Sequence, residues 1–317
     1  MSGAIPAEFS VPPAAPLDAG LQELDKSLPG GLALPVMQDP VKARAQFTRL
    51  TVALRDQLPP ANLAGMEDIA VPGASGDLKA RVYLPLGEEQ RPAILFFHGG
   101  GFVVGEIESY ELQTRTIAER TGMQLISAEY RLAPEDPFPA AADDAESIAR
   151  WALAHAEEFG DGRLIVMGDS AGGNLAAVVA QNVPGLLGQV LIYPASDFSR
   201  EYSSREEHAD GPVLTGEACD LFKVGYLGSS DAEDPRISPL LGAADPGQPA
   251  AVVVTCEYDA LRDPGLAHAA ALAEAGTLAK HLHYPSLTHG FMGLFALNPA
   301  CDAALDEICA ATLALAQ

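Results

Sequence analysis

Apolar positions change rhythm along this chain. From about residue 93 onward, short apolar runs alternate with stretches at helical spacing. The runs are Ala93 to Phe97, Gln124 to Ala128, Leu164 to Met167, Val190 to Tyr193, Ala251 to Thr255 and His281 to Tyr284. The helical stretches are chiefly Tyr110 to Thr121, Pro139 to Glu158, Gly172 to Gln181, Pro264 to Ala275 and Cys301 to Ala316. Strand and helix in alternation predict an α/β protein with a mostly parallel central sheet covered by helices on both faces. Ahead of this region, Pro16 to Leu28 and Pro40 to Leu58 have helical spacing, the second with Asp39 as N-cap and Pro40 in the first helical position. Ile69-Ala70-Val71, a Gly73/Gly76 turn and Leu78 to Tyr83 then read as a β-hairpin at a sheet edge.

One interval breaks the alternation. From about residue 196 to 238, acidic and small residues mix with Phe198, Tyr202, Phe222 and Tyr226. An insertion after the Val190 to Tyr193 strand falls beyond the carboxyl edge of the sheet, where reactive groups gather. The expectation is therefore a helical cap built from about 1–58 and 196–238, over a core of about 59–195 and 239–317 in one domain of 317 residues. The competing reading is a peripheral decoration that never meets substrate.

A net charge of −24 argues against nucleic acid or an anionic membrane surface as partner, since both would be repelled. Cysteines 219, 256, 301 and 309 lack C-x-x-C spacing, so buried thiols are expected, with neither a metal knuckle nor a disulfide framework. Met1-Ser2-Gly3-Ala4-Ile5-Pro6 lacks the basic start of a secretory signal, and no apolar run approaches a membrane span. A cytoplasmic location follows as an expectation.

The chemistry starts at Gly168-Asp169-Ser170-Ala171-Gly172, which joins the apolar run Leu164 to Met167 to a helical stretch. A serine on a sharp strand-to-helix turn takes a strained backbone, and glycines two before and two after it make room for the crossing. The hydroxyl of Ser170 is thereby presented. A second cluster, Phe97-His98-Gly99-Gly100-Gly101-Phe102, ends a strand in three glycines whose amides can point into open space and grip an oxyanion. Gly99 and Gly100 are the expected donors from this loop, Gly101 a lesser substitute, and Ala171 supplies a further amide. A phosphate loop is disfavoured because neither Lys-Ser/Thr nor a G-x-G-x-x-G register follows. His98 is read as structural, hydrogen-bonding the loop.

A serine hydroxyl needs a base, and the base an orienting acid. His289 lies in the loop after the last strand, at its carboxyl end. His281 and His283 share a face of that strand by period two and are expected to decorate an exposed face. His155, His268 and His208 are assigned structural roles. Asp259 lies just past the end of the strand Val252 to Thr255 and is preferred as the acid over Glu257, still in the strand exit, and over Asp263, which precedes Pro264 and reads as an N-cap. With Asp259 as acid, Asp169 needs no catalytic role. The resulting order is Ser, Asp, His.

From about Ala93 to the C-terminus the chain resembles the hormone-sensitive-lipase-like family of bacterial carboxylesterases, within the α/β-hydrolase superfamily. The residues that carry the resemblance are His98 to Gly101, Tyr130-Arg131-Leu132-Ala133-Pro134-Glu135 with Phe138 to Ala141, Gly168 to Gly173, Asp234-Pro235-Arg236 with Ser238-Pro239-Leu240, and Thr288-His289-Gly290-Phe291. The resemblance implies a serine carboxylesterase for short- to medium-chain acyl esters, with Ser170, Asp259 and His289 as triad, a helical cap, and neither cofactor nor metal. Where the family commonly has Asp-Pro-Leu at the acid, this chain has Asp259-Ala260-Leu261, a slightly looser turn. An apolar substrate pocket is expected near Phe102, Val103, Phe222 and Phe291. An amidase or deacetylase would use the same triad, whereas a non-catalytic binding protein on this fold would lack a triad member, and none is missing. The His281 to Tyr284 strand, last in sequence, is expected at a sheet edge, where it invites a homodimer as a hypothesis.

Overall fold

The computed structural model describes residues 11–28, 39–87 and 89–317. The N-terminal segment Met1 to Pro6 and residues 29–38, part of the expected cap, lie outside the described residues. Two helices come first, α1 (Ala19–Ser27) and α2 (Pro40–Arg55). The sheet comprises β1 (Leu63–Gly73), β2 (Gly76–Pro85), β3 (Ala93–Phe97), β4 (Leu125–Ala128), β5 (Leu164–Asp169), β6 (Gly188–Ile192), β7 (Ala250–Tyr258) and β8 (Leu278–Thr288). Between and after the strands run α3 (Ile107–Thr121), α4 (Ala140–Ala154), α5 (Ala171–Asn182), α6 (Ser203–Glu207), α7 (Gly216–Leu227), α8 (Arg262–Ala275) and α9 (Pro299–Leu315).

The strands form one sheet in the order β1-β2-β4-β3-β5-β6-β7-β8. β2 is antiparallel to both β1 and β4, and every pairing from β4 to β8 is parallel. Alternate residues of each central strand feed different cores, as the period of two demands. Leu95, Phe97, Val166, Leu191 and Val253 join α4, α5 and α8 on one face. Ile94, Phe96, Ile165, Met167, Val190 and Val254 join α3 and α9 on the other. Both faces being dry explains why the strands are continuously apolar.

Side-chain caps fix four of the nine described helix starts, those of α1, α2, α7 and α9. Asp18 accepts the amides of Gly20 and Leu21 to start α1, and Asp39 does the same for α2 through Val41 and Lys42. Asn298 caps α9 and also donates to Asp18 at 2.7 Å, tying the start of the described chain to its end. No described helix is long and apolar enough to cross a membrane.

Two expectations fail here. Asp263 is inside the first turn of α8 rather than its cap; its Oδ2 accepts the Ser204 amide at 2.9 Å, anchoring α6. His281 and His283 do not stand on an open face: both meet the Thr255 hydroxyl, at 2.9 and 2.8 Å, His281 being half-buried and the His283 side chain only 1% exposed. That face of β8 continues the sheet surface beneath α8.

Buried histidines give the fold an acid limit. Burial holds His98, His268 and His281 down at about 4 and also lowers His283, against about 6.5 in an unfolded chain. Between those values the unfolded state binds more protons than the folded one, so stability is lost as pH falls from about 6.5 towards 4. Asp169, raised to about 6, and Glu129, also raised, oppose this over part of the window. Four histidines outweigh two carboxyls, so the thermal midpoint is expected to be lower at pH 5 than at pH 7; calorimetry that finds equal midpoints overturns this.

Candidate active site

The turn from β5 to α5 sets the geometry. Ser170 has φ 54° and ψ −116°, the strained conformation anticipated for a presented nucleophile. Its amide donates to Ile192 O at 2.9 Å, and its carbonyl accepts from the amides of Asn174 and Ala195, so the strain is held by three backbone bonds. The flanking glycines are sterically required. A Cβ on Gly168 would lie 2.2 Å from Gly172 O, and one on Gly172 would lie 1.9 Å from Phe97 O.

Ser170, His289 and Asp259 meet from three different loops. His289 Nδ1 donates to Asp259 Oδ2 at 2.8 Å, and its Nε2 lies 3.0 Å from Ser170 Oγ. The backbone holds both partners. The Leu261 amide donates to Asp259 Oδ1 at 2.7 Å, while Tyr258 O accepts both the His289 amide and the Thr288 hydroxyl. With Ala260 in place of proline the turn after Asp259 still closes, because the Arg262 amide reaches Asp259 O at 3.1 Å.

The glycine loop differs from expectation in one donor. The Gly99 amide is engaged, donating to Asp169 Oδ1 at 2.8 Å, so it is not free for an oxyanion. A Cβ at Gly99 would meet Tyr110 Oη at 2.7 Å and Asp169 Oδ2 at 2.8 Å; this glycine exists for close packing. Gly100, at φ 114°, and Gly101, at φ 61°, are the loop residues whose amides remain open, together with Ala171 at the start of α5. His98 is buried, its Nδ1–H donates to Gly99 O at 2.8 Å, and it stacks on Tyr130 at 4.4 Å. Burial keeps it neutral at ordinary pH.

Two helices lie over this loop. Arg44 of α2 donates to Val103 O at 2.7 Å and Ala133 O at 2.8 Å while pairing with Glu135. From α7, the Phe222 ring covers Gly101, and Tyr226 stacks on Phe102 at 3.6 Å with the rings 4° from parallel. A cavity opens from Ser170 between these elements, lined by Phe102, Phe198, Leu214, Phe222, Leu261 and Pro264, with Arg200, Glu201 and Lys223 also on its wall. Val103 and Phe291 are not part of it. Val103 packs into the core cluster of α4 and α5, and Phe291 is buried against Tyr193 and Tyr284 on the opposite face.

Two supporting residues escaped the reading of the sequence. Asp169 is buried, holds the Gly99 amide, and accepts the hydroxyls of Tyr110 at 3.2 Å and Tyr193 at 3.3 Å through Oδ2. Burial pushes its carboxyl up to about 6 against the pull of His289 and its donors. The signal was available, since Ile165, Met167 and Asp169 share a strand face by period two. Cys256 is the second, its thiol donating to Asp259 Oδ2 at 3.6 Å, with burial and that carboxylate raising its pKa. Among the described residues, Glu207, His208 and Glu257 lie close enough to share a cation, but they already surround the Arg262 guanidinium, which donates to Glu207 and Glu257 at 2.7 Å each.

The α/β-hydrolase fold family matches residues 94–293. A carboxylic ester hydrolase of Mycobacterium tuberculosis, LipN, is 38% identical over 88% of this chain and 77% of its own. Ethyl acetate hydrolase of Pseudomonas putida is 32% identical over 91% of this chain and 95% of its own. The solved hyperthermophilic esterase from the archaeon Pyrobaculum calidifontis superposes with a TM-score of 0.88 at 34% identity, covering 95% of this chain and all of that one. The chain belongs to the α/β-hydrolase-fold family and, within it, to the hormone-sensitive-lipase-like carboxylesterases.

Proposed function

We propose that the enzyme hydrolyses short- to medium-chain acyl esters by a serine mechanism with an acyl-enzyme intermediate. The observation that carries this is the continuous hydrogen-bonded path from Asp259 Oδ2 through His289 to Ser170 Oγ. Ser170 Oγ attacks the ester carbonyl as His289 Nε2 takes its proton, and Asp259 fixes the imidazole tautomer and stabilises the cation that forms. The carbonyl oxygen becomes an anion facing the amides of Gly100, Gly101 and Ala171, each worth roughly 10²–10³ in rate. His289 then protonates the departing alcohol, and water cleaves the acyl-enzyme by the same route.

The acyl group is assigned to the cavity beside Ser170, whose Phe102, Phe198, Leu214 and Phe222 walls favour an unbranched apolar chain. α1, α2, α6 and α7 form the cap in this reading, with α2 and α7 its working parts because they touch the oxyanion loop. Four buried, free cysteines support a cytoplasmic location.

A homodimer through β8 belongs to the same proposal. Among the described residues, no strand lies beyond β8 in the sheet. The Ala15 and Asp18 amides occupy its Pro285 and Ser286 carbonyls, so Leu278 to Tyr284 is the stretch left for a second copy. Sedimentation equilibrium is expected to give twice the mass of one chain; the mass of a single chain overturns this.

Ser170→Ala is expected to abolish hydrolysis of p-nitrophenyl butyrate while its circular dichroism and thermal midpoint match the wild type. In the wild type, a p-nitrophenyl ester series is expected to peak at butyrate to hexanoate and to fall steeply by palmitate. Turnover surviving in Ser170→Ala refutes the nucleophile, and a palmitate optimum refutes the pocket assignment.

A further inference from the structure

Asp169 poses a problem in electrostatics. Its carboxyl sits one residue before the proposed nucleophile, buried, beside a site where an oxyanion must develop. A negative charge there opposes the anion it adjoins, and burial itself disfavours the ionised form. Something geometric must offset that cost.

Its bonds give the reason. Oδ1 accepts the Gly99 amide, from the loop after β3, at 2.8 Å. Oδ2 accepts the hydroxyls of Tyr110 from α3 and Tyr193 from the turn after β6. Around Gly99 the fit leaves no slack, since even a methyl group would collide with Asp169 Oδ2, Asp169 O and Tyr110 Oη. The next two residues, Gly100 and Gly101, have positive φ and no helix or strand to hold them. Gly99 O accepts from His98 Nδ1 and Gly100 O from the Val103 and Val104 amides, bonds internal to the loop, whereas the Gly99 amide ties the loop to the end of β5, where Asp169 is joined by one peptide bond to Ser170.

We propose that Asp169 is a positioning residue: by gripping the Gly99 amide it locks the oxyanion loop in register with the neighbouring Ser170 hydroxyl. The role is carried by the hydrogen bond and not by the charge. This rests on the esterase reading above and specifies how that site is assembled. Misplacement of a reacting group by about 1 Å costs on the order of 10²-fold in rate, so a loosened loop lowers kcat more than substrate binding.

Asp169→Ala leaves three buried donors without an acceptor. Asp169→Asn keeps an acceptor for Gly99 and turns its amide N–H₂ towards the tyrosine oxygens. Kinetics on p-nitrophenyl butyrate and the affinity for an alkyl trifluoromethyl ketone are the two readouts. With that ketone, Ser170 Oγ adds to the carbonyl carbon, its proton passes to His289, and the carbonyl oxygen keeps the electron pair as an oxyanion. Asp169→Ala is expected to lower kcat about 10²-fold with KM within about 3-fold, and to weaken the ketone in parallel. Asp169→Asn is expected to recover kcat and ketone affinity to within about 5-fold of wild type, the rescue that a bond-based role requires.

Should Asp169→Ala fail to fold, the double variant Tyr110→Phe/Tyr193→Phe decides, because it frees Oδ2 and is expected to cost about 10-fold in kcat at unchanged KM. Wild-type kcat in folded Asp169→Ala, or in the double tyrosine variant, overturns the proposal. So does an Asp169→Asn enzyme as impaired as Asp169→Ala, which would assign the effect to charge. Ser170→Ala runs alongside: turnover that survives it overturns the esterase reading and this proposal together, whereas failure of the Asp169 variants alone to respond overturns only the latter.

Discussion

Everything in this site hangs on a backbone crossing too close for a side chain. Where β5 turns into α5, Gly172 packs on Phe97 O and Gly168 packs on Gly172 O, at separations that a single Cβ would violate. That contact brings the end of β3 against the start of α5. It thereby sets the loop carrying Gly100 and Gly101 opposite the Ala171 amide and the Ser170 hydroxyl. The strain at Ser170, φ 54°, persists because the parallel strands on either side over-determine the turn. Four consecutive strands buried on both faces make that frame rigid, and the chemistry borrows the rigidity.

The glycine loop after β3 is gripped from two sides by different means. From below, polar bonds hold it: the Asp169 carboxylate on the Gly99 amide and His98 Nδ1 on the Gly99 carbonyl. From above, apolar contacts hold it: Phe222 over Gly101 and Tyr226 stacked on Phe102, itself at φ 63°. Arg44 of α2 adds a third attachment through Val103 O. Fastened this way to the loop, α7 is more than a covering layer, because displacing it would release Phe102 from the stack that offsets its backbone strain.

The histidines of this chain divide into chemical kinds by their partners, since His289 is buried as His98 and His268 are. His98, His268 and His281 are kept neutral by desolvation, with values held down at about 4, and serve as fixed hydrogen-bonding groups. His289 differs in its partners, with a carboxylate on one nitrogen and a hydroxyl on the other. In the proposed reading its exchangeable proton has both a source and a stabilising counter-charge, a pairing not seen at His98 or His268. An imidazole becomes a base through that pairing, and proximity to glycines, as at His98, does not substitute for it.

Layer order, the edge hairpin and the strand-turn-helix at Ser170 were legible because each depends on local periodicity and turn chemistry. Helix ends shifted by a few residues, as with α8 starting at Arg262 and not Pro264. The misreadings share one cause: they concern where a side chain ends up after tertiary packing. His281 and His283 were placed by period two on one face, correctly, but which face is dry depends on Thr255 and on α8. Phe291 fell next to His289 in sequence yet turned into the opposite core. The glycine loop is the sharpest instance. Three consecutive glycines advertise three equivalent amides, and only the acceptor across the β3–β5 gap distinguishes them. Asp169 takes the first, so the amides left open begin one residue later than glycine counting suggests. A motif states which conformations a loop can adopt; which of its hydrogen-bond donors stay free is decided by a side chain seventy residues away in sequence.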